Sequence, residues 1–131
     1  MIKVKTYLDK STIPEAGIGL FAAEFIPKDT IVWEYNNKLD LLFTKEEVNS
    51  LSIASQEQIR KYIYLDKSLG LYLLCGDDAR FFNHSDSPNC YDTYNLNPDV
   101  TMSNRDIQIG EEITCDYKSF YGNMEEHPEI K

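Results

Sequence analysis

Three short blocks of this 131-residue chain carry residue types able to bind and orient a ligand. The central one is Arg80-Phe81-Phe82-Asn83-His84-Ser85-Asp86-Ser87-Pro88-Asn89. Two aromatics run into Asn, His, Ser, Asp and Pro, the composition of a tight loop leaving a buried strand, where side chains cap backbone groups or meet a ligand. Near the start, Gly17 and Gly19 flank Ile18, a pattern that allows positive φ and close approach of a ligand to the backbone. It is not a dinucleotide fingerprint, because the third glycine and the following helix are both missing. Near the end stands Gly110-Glu111-Glu112-Ile113-Thr114-Cys115-Asp116-Tyr117. Nothing forms a Ser-His-Asp triad by pattern, and Cys90 has no activating base beside it, so it reads as a buried inert thiol. Taken alone, His84 is a loop-capping histidine and the Gly-Ile-Gly run is only a turn.

Taken together and in this order, the blocks closely resemble the SET-domain family of protein lysine methyltransferases, over residues 2–117. The resemblance implies a mainly β fold with short helices, the SET-domain β-clip, whose C-terminal segment threads past a preceding loop. It implies S-adenosylmethionine as cofactor, bound by Gly17, Ile18 and Gly19 together with Asn83 and His84. Asn83 can present both donor and acceptor to the methionine end, and the loop can meet adenine through its backbone. Tyr117 matches the family's tyrosine at the methyl-transfer pore, where the hydroxyl orients the nitrogen and the sulfonium. Tyr35, in Trp33-Glu34-Tyr35, matches a channel wall near the reacting amine. Arg80 either binds the cofactor carboxylate or pairs with an internal acid such as Asp116, and its planar fork suits the buried pair.

Methyl transfer from a sulfonium to an amine is an in-line displacement, so two reactants must be aligned and the amine admitted neutral. A free lysine has a pKa of roughly 10.4. A dry aromatic channel favours its neutral form by desolvation and holds the stem of the side chain. Tyr35, Tyr62, Tyr64, Tyr72, Tyr91, Tyr117, Phe120 and Tyr121 are the candidate walls, although nine tyrosines in a sheet-rich domain need no special cause. Tyr72, Tyr91 and Cys115 are assigned to the substrate channel. Two departures from the family matter. Asp86 replaces a cysteine that in many members joins a cysteine-rich segment to bind zinc, and no cysteine follows Cys115, so no metal is expected. The tail, with Phe120 or Tyr121 stacking on adenine, or a second copy in a homodimer, would close the site. Cys115 stands where the family often has Phe or Tyr, which implies room for more than one methyl unless Tyr91 fills the gap.

These groups need a scaffold. Residues 2–8 read as a strand, 9–15 as a loop with Pro14, and 30–35 as a buried strand rich in β-formers. Thr44-Lys45-Glu46-Glu47 and Ser55-Gln56-Glu57-Gln58 are capping-box signatures, each opening a short helix, the second ending before Tyr62. In the family this middle region is a variable insert that shapes substrate choice. Residues 62–65 and 71–75 predict one hairpin, and 91–94 with 100–103 another. Residues 104–112 repeat in outline 24–29, and both predict turns that introduce a strand.

Composition sets the outer limits. The length predicts one domain with a modest core, and 42% hydrophobic with 27% charged residues is an ordinary globular balance. A net charge of −9 argues against nucleic acid and suits a basic, lysine-containing protein or peptide substrate. No early apolar run has the length of a signal peptide or membrane helix, which predicts an intracellular, cytoplasmic or nuclear protein without membrane contact. Cys75, Cys90 and Cys115 are too widely spaced for a disulfide framework or a standard zinc site. The functional expectation is methylation of a protein lysine by an S-adenosylmethionine-dependent methyltransferase. The rival is a SET-like module that binds a basic peptide or the cofactor without turnover, and the blandest option is a small β-rich structural protein.

Overall fold

A computed structural model of the chain describes residues 1–93 and 100–116. Short strands dominate. Strand β1 (Thr6–Lys10) pairs antiparallel with β2 (Ile18–Ala22), from Thr6 opposite Ala22 to Lys10 opposite Ile18. The predicted strand over 2–8 is shifted, because the chain changes partner at Lys5. Before it, Ile2 bridges Trp33 and the Lys3 N–H donates to the Val32 carbonyl at 2.8 Å; after it, pairing passes to β2. Strand β3 (Ile31–Trp33) is the regular part of the predicted 30–35 segment.

The insert follows β4 (Leu41–Phe43). The capping box at Thr44 forms as predicted: its hydroxyl accepts from the Glu47 N–H, the Glu47 carboxylate accepts from the Thr44 N–H, and helix α1 runs Lys45–Ser50. Helix α2 (Ile53–Ile59) starts earlier than its predicted box at Ser55, because Ser52 is the cap and accepts from the Ser55 N–H at 3.1 Å. That start turns Gln56 inward, where its amide donates to the Leu51 carbonyl at 2.8 Å and ties the two helices together. The predicted hairpin follows: β5 (Tyr64–Asp66) and β6 (Leu71–Leu74) pair antiparallel, with β6 between β4 and β5.

The chain enters the Asn-His block through a 3₁₀ turn, Asp78–Phe81, rather than the expected buried strand. Asp77 caps it, accepting from the Ala79 N–H at 3.0 Å and the Ile2 N–H at 2.8 Å. Then come β7 (Asn83–His84), β8 (Cys90–Asp92), β9 (Thr101–Ser103) and β10 (Thr114–Cys115). β9 lies between β3 and β8, both antiparallel to it, which realises the second predicted hairpin; β10 runs parallel to β7. The two turns of similar outline pair with each other. Ile26 and Ile107 exchange both backbone hydrogen bonds, at 2.9 and 2.8 Å, and both side chains are fully buried.

Three apolar clusters result. Leu20, Ile26, Val32, Cys90, Ile113 and Cys115 form the first, beneath β2, β3, β8 and β10. Val48, Ile63, Tyr72 and Leu74 hold the insert together. Trp33, Leu73, Cys75 and Ala79 lie between them, with Tyr35, Tyr64 and Phe82 packed alongside.

Candidate active site

The three blocks converge, and the carboxylate of Glu112 is where they meet. It lies just ahead of β10 and is 8% exposed. The Ser11 hydroxyl donates to its two oxygens at 3.0 and 2.8 Å, and the Thr12 N–H and hydroxyl donate at 2.8 and 2.7 Å. The Asn83 side-chain amide donates to its Oε2 at 3.1 Å. Burial pushes the Glu112 carboxyl up, but the hydrogen bonds from Asn83, Thr12 and Ser11 outweigh it and hold the group below its ordinary 4.5. The same carboxylate explains Gly19: a Cβ there would stand 2.5 Å from Glu112 Oε2. Gly19 thus accommodates a protein group, whereas Gly17, at φ +77°, serves the turn itself.

Asn83 has a second bond, from Nδ2 to the Ile18 carbonyl at 3.0 Å. Both amide hydrogens are therefore used inside the protein, and only Oδ1 remains for a ligand. The expectation that Asn83 offers both donor and acceptor gives way to acceptor alone. Asn89, 2% exposed, clamps the central block to the C-terminal one: it donates to the Glu112 carbonyl at 2.8 Å and accepts from the Thr114 N–H at 2.9 Å. Parallel pairing sets Asn83 beside Thr114 and His84 beside Cys115. His84 lies 3.0 Å by Nε2 from an Asp86 carboxylate oxygen and 3.6 Å by Nδ1 from one of Asp116. Asp116 is thus the neighbour of His84, not of Arg80. The Arg80 Nε and Nη2 instead donate to the Cys75 carbonyl at 3.2 and 2.9 Å, and its guanidinium lies 5.5 Å from the Tyr62 ring centre.

Gly17, Ile18 and Asn83 face Lys61, Tyr62 and Arg80 across an open cleft of about 380 Å³. That volume is in the range of small-molecule sites. The residues fit the zwitterionic end of S-adenosylmethionine: Asn83 Oδ1 can accept from an ammonium, and Lys61 and Arg80 supply positive charge for a carboxylate. Lys61, Tyr62 and Arg80 also line a second, smaller pocket of about 40 Å³, together with Tyr64, Phe82, Trp33 and Cys115. The Trp33 Nε1 is buried with no acceptor among the described residues. Space of this size holds little more than water or the end of one side chain.

The other expected site residues are distributed as follows. Tyr35 is half-buried against the Trp33 cluster. Tyr72 is buried in the insert cluster and does not line either space. Tyr91 is 39% exposed on β8, its hydroxyl 3.8 Å from the Met102 sulfur. Tyr117, Phe120 and Tyr121, and with them the expected threading of the C-terminal segment and closure by the tail, lie outside the described residues. Sequence reasoning missed Glu112, Ser11, Thr12, Asn89 and Lys61 as parts of the site. One signal was available for Glu112, an acid directly before the strand-forming Ile113-Thr114-Cys115, where an apolar or paired residue is the rule. Among the described residues no three His, Cys, Asp or Glu side chains are grouped to hold a metal, and no helix is long and apolar enough to cross a membrane.

A β-rich domain that brings a glycine turn, an Asn-His strand and a Glu-Glu segment together at one buried carboxylate has the architecture of SET proteins, and comparison bears this out. The SET domain family matches residues 17–118, and the chain belongs to it. It is 32% identical over 132 aligned positions to human histone-lysine N-methyltransferase 2D, covering 88% of this chain but only 2% of that protein. It is 36% identical to the H3 lysine-36 specific histone-lysine N-methyltransferase of Schizosaccharomyces pombe, covering 77% of this chain and 13% of that one. Among solved structures, a candidate histone methyltransferase from Plasmodium falciparum superposes with a TM-score of 0.64 at 25% identity, covering 93% of this chain and all of that one. The chain therefore spans a small fraction of the curated relatives' length.

Proposed function

We propose that this domain transfers a methyl group from S-adenosylmethionine to the side-chain amine of a lysine in a basic protein substrate. The observation that carries the reading is the shared wall of the two spaces. The cleft lined by Gly17, Ile18 and Asn83 shares Lys61, Tyr62 and Arg80 with a second, smaller pocket whose lining includes Cys115, two residues before Tyr117 in the chain. In-line transfer needs such an arrangement, with the methyl donor on one side of a narrow opening and the amine on the other.

Bound S-adenosylmethionine supplies the electrophilic methyl on a sulfonium. Asn83 Oδ1 would accept from its ammonium, and Arg80 and Lys61 would supply positive charge for its carboxylate. Tyr35, Tyr64 and Phe82 provide apolar surface for the lysine stem, and their dry surroundings favour the amine in its neutral, nucleophilic form. Tyr117 orients that nitrogen, and Cys115, smaller than an aromatic, leaves space for methyl groups already added. The net charge of −9 attracts a basic target, and the relatives act on histones by name, so a histone-type tail inside the cell is the first substrate to try.

The test is calorimetric titration with S-adenosylmethionine, followed by incubation of the same sample with methyl-labelled cofactor and mixed histones. Binding with label on lysine is expected. Binding without transfer to any basic protein would favour the non-catalytic module, and absence of binding would remove the cofactor reading of the cleft.

A further inference from the structure

Glu112 receives more hydrogen bonds than anchoring a loop requires. Thr12 and Ser11 together bring four contacts of 2.7–3.0 Å to it, enough to satisfy a buried carboxylate. The fifth, from Asn83, does something different. A carboxylate can only accept, so the Asn83 amide must turn its NH₂ toward Oε2. The second amide hydrogen is drawn to the Ile18 carbonyl, and the side chain is locked with both donors spent. Gly19 supports the same lock, because only a residue without Cβ leaves space for the carboxylate at that point, and the Asn83 Nδ2 is 3.3 Å from the same missing Cβ.

We propose that Glu112 is a positioning residue for ligand recognition: by holding the Asn83 amide, it presents a pure acceptor to the cleft and makes the site select a ligand bearing an ammonium. The inference rests on the proposed function. Glutamine at 112 has the same shape but can turn its own NH₂ toward Asn83, which opposes the present orientation and leaves only the Ile18 carbonyl to hold the amide. Aspartate keeps the charge but falls one methylene short of Asn83. Removal of Thr44's hydroxyl takes away the cap of α1, which lines no part of the cleft.

The experiment is calorimetric titration of wild type, Glu112→Gln, Glu112→Asp, Asn83→Ala, the Asn83→Ala/Glu112→Gln double variant and Thr44→Ala. Each is titrated with S-adenosylmethionine and with its analogue lacking the α-ammonium. The wild type is expected to prefer the complete ligand by ~10-fold or more, as suits a hydrogen bond to a charged group. Glu112→Gln should lose most of that preference while binding the analogue as wild type does, and the double variant should lose no more than Asn83→Ala. Thr44→Ala should melt earlier with its preference intact. Glu112→Asp gives the same readout if the glutamine variant does not fold.

Equal weakening of both ligands in the Glu112 variants would reduce Glu112 to a structural anchor and overturn the proposal. So would a wild type that binds both ligands alike, which would leave the cofactor reading standing. A wild type that binds neither ligand removes that reading and this inference together.

Discussion

Replacement of Gly19 by alanine tests whether the Glu112 hub is rigid. The added Cβ would stand 2.5 Å from Glu112 Oε2 and 2.9 Å from its Cδ. The end of an exposed glutamate would simply swing aside, at little cost. Here it cannot, because Ser11, Thr12 and Asn83 hold both oxygens and the residue is buried. Either the carboxylate gives up one or two charge-assisted hydrogen bonds, each contributing about 1.5–3 kcal/mol, or β2 shifts against its core, at about 1–3 kcal/mol for overpacking. Both routes lead to a loss of roughly 2–4 kcal/mol, or about 10 °C in melting temperature for a domain of this size. Gly17→Ala is the comparator: nothing lies within 4 Å of its Cβ, and only the left-handed backbone conformation at φ +77° is penalised, by about 1–2 kcal/mol. Urea unfolding of both variants would measure the difference. A Gly19→Ala protein within about 0.5 kcal/mol of wild type, the scatter expected of an innocuous surface change, would show that Glu112 moves freely and that the hub does not constrain Asn83.

Other consequences can be checked independently. Because the carboxyl of Glu112 is held below its ordinary 4.5 in the fold, its contribution to stability is complete above that value and is lost as pH falls through the depressed folded value. Unfolding free energies of wild type and Glu112→Gln should therefore converge as pH falls below that ordinary value; a gap that stays constant refutes the assignment. Gly76→Ala should be far worse than Gly17→Ala, with a loss of several kcal/mol or failure to fold, about the upper range for single substitutions. Its Cβ would lie 1.7 Å from the Leu39 carbonyl oxygen, a backbone atom with nowhere to go. A soluble variant with wild-type melting would contradict that packing. Cys115 is pushed well above the ordinary thiol range by its hydrogen-bonded neighbour Cys90 and by burial, and Cys75 chiefly by burial. Both should resist iodoacetamide at pH 8 until urea unfolds the chain, and rapid labelling of the folded protein would disprove their burial. Tyr117→Phe is expected to lower kcat by tenfold or more, as ~1.4 kcal/mol of lost transition-state interaction requires, with cofactor affinity unchanged; parallel loss of both would remove Tyr117 from the transfer step.

Features decided within a few residues were legible in the amino-acid sequence. The Thr44 capping box needs only Thr44 and Glu47, and it formed as read. The β5–β6 hairpin follows from two apolar runs around a turn in which Asp66 accepts from Ser68 and Leu69. Gly17 at φ +77° is likewise a local choice of residue for a local backbone need. The three blocks pointed to the family because their residue types recur there in this order, without indicating how they touch.

Tertiary structure decided the rest, because those contacts join groups far apart along the chain. Helix α2 starts at Ser52 rather than Ser55 because Gln56 then reaches the Leu51 carbonyl. Arg80 finds the Cys75 carbonyl and Tyr62, and Asp116 lies beside His84, although either pairing of these charges was compatible with their types. Most of all, the two glutamates of Gly110-Glu111-Glu112 are indistinguishable as residues. Glu111 is solvated beside Arg105, while Glu112 turns inward to donors from Ser11, Thr12 and Asn83, residues 101, 100 and 29 positions away. A buried carboxylate persists only where donors surround it, and which donors surround it is settled when the strands close on one another, not by the neighbours of Glu112 in the chain.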